Sequence, residues 1–381
     1  MANTTQSAKV WKKFKRNTLA LIGLIFIVLM VIVGVLGYLI TPDQTPYANA
    51  QQLQISKEKP GSKFKFLIVQ WYSNVEEVGF FEKMLYGQPA KFKSVPITSY
   101  QIVNDEVIAY EYIGEEKNVT PTVYKLKDLC RECTLPSKLG STEMLFERYN
   151  VYEQTFWLGT DIYGRDLLSR LILGVRVSLS VGLMAVLISM FIGVGLGAIA
   201  GYFGGKIDAG ISWFMNVIWS LPSLLLVIAI SFALGKGFWQ IFIAVGLSTW
   251  VDVARLVRGQ VMALKQVEFV EAAKALGFSN SRTIIRHILP NIAGPILVVA
   301  SANFASAILL ETGLSFLGFG AQPPMPSWGT MIKEHYGYII MDAAYLAVLP
   351  GLAIMLTVYA FNLIAIGLRD AFDVKGQNTS V

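Results

Sequence analysis

Long apolar stretches alternate with short polar ones along most of the chain, and a single polar block interrupts them. The first apolar run, Leu19–Ile40, follows a tail that carries Lys9, Lys12, Lys13, Lys15 and Arg16 and no acid. Roughly 20 apolar residues cross the hydrocarbon core of a bilayer, so this run predicts a membrane span. It is too long for the core of a secretory signal, and no small-x-small cleavage site precedes Thr41-Pro42, so an uncleaved span is expected. Five more spans are read at Val177–Ile199, Ile211–Leu234 with Pro222 in its middle, Phe238–Val253, Ile288–Leu310 and Tyr345–Leu368.

Residues 41–156 have a different pattern. Charge is dense there, with 13 Lys+Arg and 15 Asp+Glu. Alternating segments at Phe64–Val69 and Val107–Tyr112 predict strands, while Pro60-Gly61, Gly87, Pro96 and Asn104-Asp105 predict turns. The next stretch, 157–176, places Asp161, Arg165, Asp166, Arg170 and Arg176 among apolar residues. It reads as an interfacial amphipathic segment whose charges sit at headgroup level, in preference to a catalytic Asp pair. The expected organisation is a cytoplasmic basic N-terminus (1–17), a first helix (18–40), a periplasmic insert (41–156), the interfacial segment (157–176), a transmembrane core (177–368) containing a cytoplasmic loop (255–288), and a cytoplasmic tail (369–381). The fold class is an all-α membrane protein of six helices with a β-leaning extramembrane insert between helices 1 and 2.

Composition agrees with the pattern. The 381 residues are 54% hydrophobic and only 15% charged, against about 25% charged in soluble domains. The net charge of +6 could suggest nucleic acid, but its distribution says otherwise. The N-terminal tail, 201–210, 252–287 and the C-terminal tail hold 14 Lys+Arg, whereas the short loops on the other side hold only Lys236 and Lys333. Basic residues concentrate in short cytoplasmic loops, so both termini are expected inside and no nucleic-acid partner is implied. Gly182, Gly193, Gly195 and Gly197 give the second span a small-residue face for close helix packing.

Chemistry-bearing motifs are scarce. Cys130 and Cys133 form one C-x-x-C, which cannot supply the four ligands of a tetrahedral zinc site. A local disulfide and two free thiols stand as alternatives. There is no H-E-x-x-H, G-x-S-x-G or G-x-x-x-x-G-K-[ST], so no enzyme activity, cofactor or metal is expected. Glu311 is the one carboxylate inside an apolar run, and an ionisable group in a span is a candidate pathway residue.

The most informative polar stretch is Glu271-Ala272-Ala273-Lys274-Ala275-Leu276-Gly277, continuing through Ser279-Asn280-Ser281 to Leu289-Pro290. Two Ala give a helix with little bulk, Gly277 suits a left-handed helix end, a Ser or Asn caps a second helix, and Pro290 limits it. This layout resembles the cytoplasmic EAA loop of permease subunits of ABC importers, with Glu271, Ala272, Ala273, Gly277, Leu289 and Pro290 matching. Gly159-Thr-Asp, Gly164-Arg-Asp, Ser315-Phe-Leu-Gly-Phe-Gly320, Pro326-Ser-Trp-Gly329 and Leu368-Arg-Asp-Ala-Phe-Asp373 are similar to the oligopeptide/dipeptide (peptide/nickel) branch. Ala365-Ile366-Gly367 and Val374 depart slightly from it.

The resemblance implies six helices of the ABC importer permease type and half of a path for peptides or similar solutes. It also implies inner-membrane placement and ATPase coupling through the loop. Implied partners are a second permease subunit, two ATP-binding cassette ATPases, an extracytoplasmic solute-binding protein and membrane lipid. A secondary transporter driven by an ion gradient and a membrane-anchored receptor working through 41–156 fit the layout less well. A cysteine introduced at Lys274 in a cysteine-free background should react only with reagents that reach the cytosol, and labelling of intact cells from outside would overturn this topology.

Overall fold

The structure, a computed structural model, describes residues 6–72, 75–114, 120–129, 142–235 and 237–372. Cys130, Cys133 and Asp373 lie outside the described residues. Two compact units divide the chain: one comprises Met1–Ile32, Val175–Glu334 and Val348–Val381, the other Val33–Gly174 and His335–Ala347.

Helix α1 (Gln6–Arg16) is short and basic, and α2 (Thr18–Leu36) is wholly apolar. The first unit then takes in most of α6 (Leu167–Phe203), α7 (Gly205–Trp219), α8 (Ser223–Leu234), α9 (Phe238–Leu264), α10 (Glu268–Ala275), α11 (Asn280–Thr283), α12 (Ala293–Phe316), α13 (Trp328–His335) and α14 (Tyr345–Phe372). Among the described residues, five helices, including the continuous stretch Asn280–Phe316, are long and apolar enough to cross a membrane. A sixth span would be the pair α7 and α8, which is bent by 93°. The third span expected over 211–234, with Pro222 in its middle, is therefore broken. Pro222 stands at the break, where it supplies no amide and disfavours helical geometry for Leu221. Helix α9 runs past Val253 to Leu264, so the polar loop begins only at Lys265.

Glycine sets how these helices meet. Gly193, Gly197 and Gly201 recur every fourth residue on one face of α6. A Cβ on each would lie 2.7, 2.5 and 2.6 Å from the carbonyl oxygens of Trp250, Ala254 and Arg258 on α9. The backbones touch because nothing stands between them, which is how helices gain packing energy where lipid offers no hydrophobic drive. Gly195, one of the four glycines read as a packing face, points elsewhere and meets nothing within 4 Å.

The second unit holds a five-stranded antiparallel sheet in the order β4-β3-β2-β1-β5. Its strands are β1 (Ser62–Trp71), β2 (Phe92–Val103), β3 (Glu106–Glu111), β4 (Thr122–Lys125) and β5 (Val151–Phe156). Among the described residues, three short α-helices accompany it: α3 (Phe80–Tyr86), α4 (Leu126–Leu129) and α5 (Thr142–Asn150). Leu67, Ile97, Val107, Ala109, Leu126, Leu129 and Phe146 form the core on one face, and Ile55, Phe66 and Phe156 form a smaller one on the other. Strand β1 lies between two neighbours and has a core on each face, which explains its run of three buried residues, Phe66-Leu67-Ile68. Asn104 and Asp105 both take positive φ at the β2–β3 hairpin, as a two-residue turn of this hand requires. Pro96, expected at a turn, lies inside β2 instead. It gives no amide to the ladder, but its carbonyl accepts from Tyr112 N at 2.9 Å.

Residues 157–166 also differ from the interfacial reading. Asp161 is fully buried and accepts from Tyr163 N (2.8 Å), Arg165 N (2.9 Å) and Arg165 Nε (2.6 Å), with Arg170 Nε 3.6 Å away. Arg165, Asp166 and Arg170 are buried as well. These charges are held by one another and by backbone amides, and from Leu167 onward the segment is already α6.

The glycine face of α6 leads to a specific expectation. Gly197→Leu should lower the yield of monodisperse protein and its melting temperature in detergent, since overpacking costs about 1–3 kcal/mol even where neighbours can shift. Gly195→Ala should leave both unchanged.

Candidate functional site

The loop singled out in the sequence is a helix, a closed turn and a second helix, all within the first unit. Helix α10 has no side-chain N-cap, but Glu268 and Glu271 lie in its first turn, where carboxylates offset the exposed amides. Its C-terminus is a complete Schellman closure. Gly277 sits at φ +75°, its amide donates to the Lys274 carbonyl at 2.9 Å, and Phe278 N donates to the Ala273 carbonyl at 3.1 Å. A Cβ on Gly277 would meet nothing within 4 Å. Backbone conformation alone, not crowding, requires glycine here.

Ser279 then caps α11, its hydroxyl accepting from Arg282 N at 3.4 Å. Beyond α11 the chain does not stay α-helical. Ile284–Ile288 is a π turn and Leu289–Ile292 a 3₁₀ turn before α12 resumes. Pro290 accounts for the irregularity, because it has no amide for the carbonyl one turn back. Next to it, the Asn291 side-chain amide donates to the His287 carbonyl at 2.6 Å.

The six residues of the motif are thus not one cluster. Glu271 and Ala272 are exposed on α10, Ala273 is buried beneath it, Gly277 closes it, Leu289 packs half-buried and Pro290 is exposed at the joint. Val270 and Leu289 share a core with Tyr202, Val253, Val257, Val261, Ile284 and Ile288. Phe269 and Leu276, on the same helix and at its end, are also exposed, as is Ile285 beyond α11.

Tyr202 was not singled out in the sequence, yet it links α6 to the loop. Its hydroxyl donates to Asn280 Oδ1 at 3.0 Å, and the ammonium groups of Lys265 and Lys274 lie 5.7 and 5.3 Å from its ring centroid. A lone aromatic at the end of an apolar span gives no periodic signal that could have found it. Phe278 is similarly placed between Arg282 (4.1 Å) and a stacked His287 ring (5.5 Å).

Glu311 lies in the last third of α12, roughly 27 Å from the helix start at 1.5 Å per residue. It is fully buried. Ser315 Oγ donates to its Oε1 at 2.7 Å, and Ser327 Oγ lies 3.4 Å from Ser315 Oγ. The second oxygen, Oε2, has no hydrogen-bond partner among the described residues. Two glycines bring the covering segment this close: a Cβ on Gly320 would fall 1.8 Å from Ser315 Oγ, and one on Gly329 2.7 Å from Ser315 Cβ. The Ser-Phe-Leu-Gly-Phe-Gly and Pro-Ser-Trp-Gly segments are therefore two halves of one contact, centred on Ser315.

Residues 193–375 match binding-protein-dependent transport system inner membrane components, and residues 5–60 match the N-terminal TM domain of oligopeptide transport permease C. The glutathione transport system permease protein GsiD of Pectobacterium atrosepticum is 43% identical over 219 residues, which are 58% of this chain and 72% of the relative. The chain belongs to the binding-protein-dependent transport permease family. The dipeptide transport system permease protein DppC of Alkalihalophilus pseudofirmus is 45% identical over the same shares of each chain. Among solved structures, the MetNI methionine ABC transporter in an inward-facing conformation is 19% identical, with a TM-score of 0.43 over 53% of this chain and 97% of that one. Like other members, this permease is a membrane-spanning subunit of an ABC importer.

In the second unit, Asp166 has an altered proton affinity. Burial pushes its carboxyl up to about 6, helped by Asp43 and Asp161 and opposed by bonds from Ser169. A carboxyl raised in the fold contributes stability that is fully present below the unfolded value, near 4, and is lost as pH rises through 6. Asp166→Asn should therefore melt several degrees above the wild-type permease at pH 8, with the difference closing below pH 4 in a detergent-solubilised thermal melt.

Proposed function

We propose that this permease forms half of a path for peptides or similar small solutes and receives force at helix α10 from ATPase subunits. The carrying observation is the Schellman-closed α10, which leaves Glu271, Ala272 and an apolar fringe of Phe269, Leu276 and Ile285 exposed. A small-residue face with exposed apolar side chains on the same helix is suited to seating in a groove on another protein. The peptide cargo is supported by relatives named for dipeptide and glutathione transport. In this reading the loop and both termini face the cytosol, ATP is hydrolysed by two cassette subunits, a second permease completes the path, and an extracytoplasmic binding protein delivers the solute.

The assigned coupling residues are Glu271, Ala272 and Ala273 on the docking helix, Gly277 at its closure, and Leu289 and Pro290 at the joint to α12. Glu271 supplies charge at the exposed face, while Ala273 lets α10 lie close to the core beneath. Glu311 is assigned to the path indirectly: enclosed by Ser315 and the segment after α12, it shapes that end of the helix and does not face a solute. ATPase closure would push α10, and the irregular stretch 284–292 would pass the movement to α12.

Gly277 tests the reading. Only φ, not space, demands glycine there, and a left-handed non-glycine residue costs roughly 1–2 kcal/mol, least for Asn. In proteoliposomes containing the companion permease, the ATPases and a peptide-loaded binding protein, Gly277→Val should reduce ATP-driven uptake about tenfold, as that cost predicts. Gly277→Asn should retain most of it. Equal uptake by both variants, with normal assembly, would remove α10 from the coupling route.

A further inference from the structure

The second unit contains a cavity of about 1000 Å³ that the transport reading leaves unused. It lies within residues 33–174, between the segment 42–54, helix α3 and the sheet face that carries Phe66, Tyr152 and Phe156. Its size is that of a site for a small-molecule or short-peptide ligand.

Its lining carries charge of both signs. Two buried carboxylates, Asp43 and Asp166, belong to it, as do Lys83, Lys93 and the ion pair of Lys91 Nζ with Glu77 Oε1 at 2.5 Å, which leaves Lys83 and Lys93 as the lysines open to an anion. Asp43 is committed to its own loop: Oδ1 accepts from Thr45 N and Thr45 Oγ1 at 2.9 and 2.7 Å, and Oδ2 accepts from Ala50 N at 3.1 Å. Asp166 is only half committed. Its Oδ2 accepts from Ser169 N at 2.8 Å and from the Ser169 hydroxyl, while Oδ1, buried with the rest of the side chain, has no hydrogen-bond partner among the described residues. An unpaired buried carboxylate oxygen costs several kcal/mol unless a cation reaches it.

The walls carry a second polar feature. The half-buried side-chain amides of Gln44, Gln54 and Gln154 line the same cavity and make no hydrogen bond among the described residues. A primary amide offers both donor and acceptor, which matches the alternating N–H and C=O groups of a peptide backbone. Phe66, Phe92 and Tyr152 supply an apolar floor for side chains.

From these observations we propose that the insert binds a short peptide directly, its α-ammonium at Asp166, its backbone along Gln44, Gln54 and Gln154, and its carboxylate toward Lys83 and Lys93. Such a site would hold solute on the permease itself. The proposal deepens the peptide-transport reading in naming the cargo class, but it stands on the cavity alone and is tested without ATPases or binding protein.

The test is calorimetric titration of the purified full-length permease in nanodiscs with tetra-alanine and with N-acetyl-tetra-alanine. Saturable binding of the free peptide is expected, weakened at least tenfold by acetylation. Asp166→Asn keeps the acceptor for Ser169 but removes the charge, and should weaken tetra-alanine to the level of the acetylated peptide. Gln154→Ala, on strand β5, should weaken both peptides alike, with an unchanged melting temperature showing that the sheet is intact. No binding, equal binding of the two peptides, or binding untouched by either substitution would overturn the assignment. So would titration by calcium chloride in place of peptide. Failure here would leave the Gly277 uptake result unaffected, and loss of coupling there would leave this binding intact.

Discussion

Helices in lipid gain nothing by hiding apolar surface from one another, so their contact must come from close approach of the backbones. In this permease that condition is met at the face of α6 where Gly193, Gly197 and Gly201 rest on carbonyls of α9. The contact fixes the polar ends of both helices beside each other. Tyr202 follows Gly201 directly and holds the loop through Asn280, and Arg258 on α9 pairs with Asp208 at the start of α7 through Nη2 and Oδ2 at 2.7 Å. The platform beneath α10 is thus assembled by an absence of side chains two turns away.

The same economy recurs at the other end of α12. Gly320 and Gly329 allow two distant segments to close over Ser315 and enclose Glu311. In both places glycine acts through approach and not through flexibility. Gly277 differs, since open space surrounds it and only its dihedral matters. A sequence motif rich in glycine therefore combines two physical requirements that substitution separates: bulk is harmful at Gly197 or Gly320, handedness at Gly277.

Much of this was legible in the chain. The apolar runs gave the spans because their length and hydrophobicity suffice, and the helix-turn-helix around Gly277 was readable from Ala-Ala, Gly and Ser in order. The alternation at 64–69 and 107–112 marked two strands of the insert. The illegible parts have different causes. The strand position of Pro96 depends on partners distant in sequence, whereas the break at Pro222 and the pairing of Asp161 with Arg165 and Arg170 are local geometry that composition does not reveal. Composition alone made charges beside an apolar run look like headgroup anchors, whereas Asp161 gathers two backbone amides and a guanidinium. Tyr202 carries no pattern at all, and the cavity beside Asp166 exists only once segment 42–54 lies over the sheet.

The irregular turns at 284–292 bear on how far a push at the loop can travel. A uniform rod from Asn280 to Phe316 would carry any tilt along its whole length. Here one backbone amide is missing at Pro290, and the His287 carbonyl is held by the Asn291 side chain, a tether with rotatable bonds of its own. The base of the rod is consequently a compliant wrist. On the docking proposed for α10, that helix would settle against an ATPase through small angles before the long shaft beyond must turn.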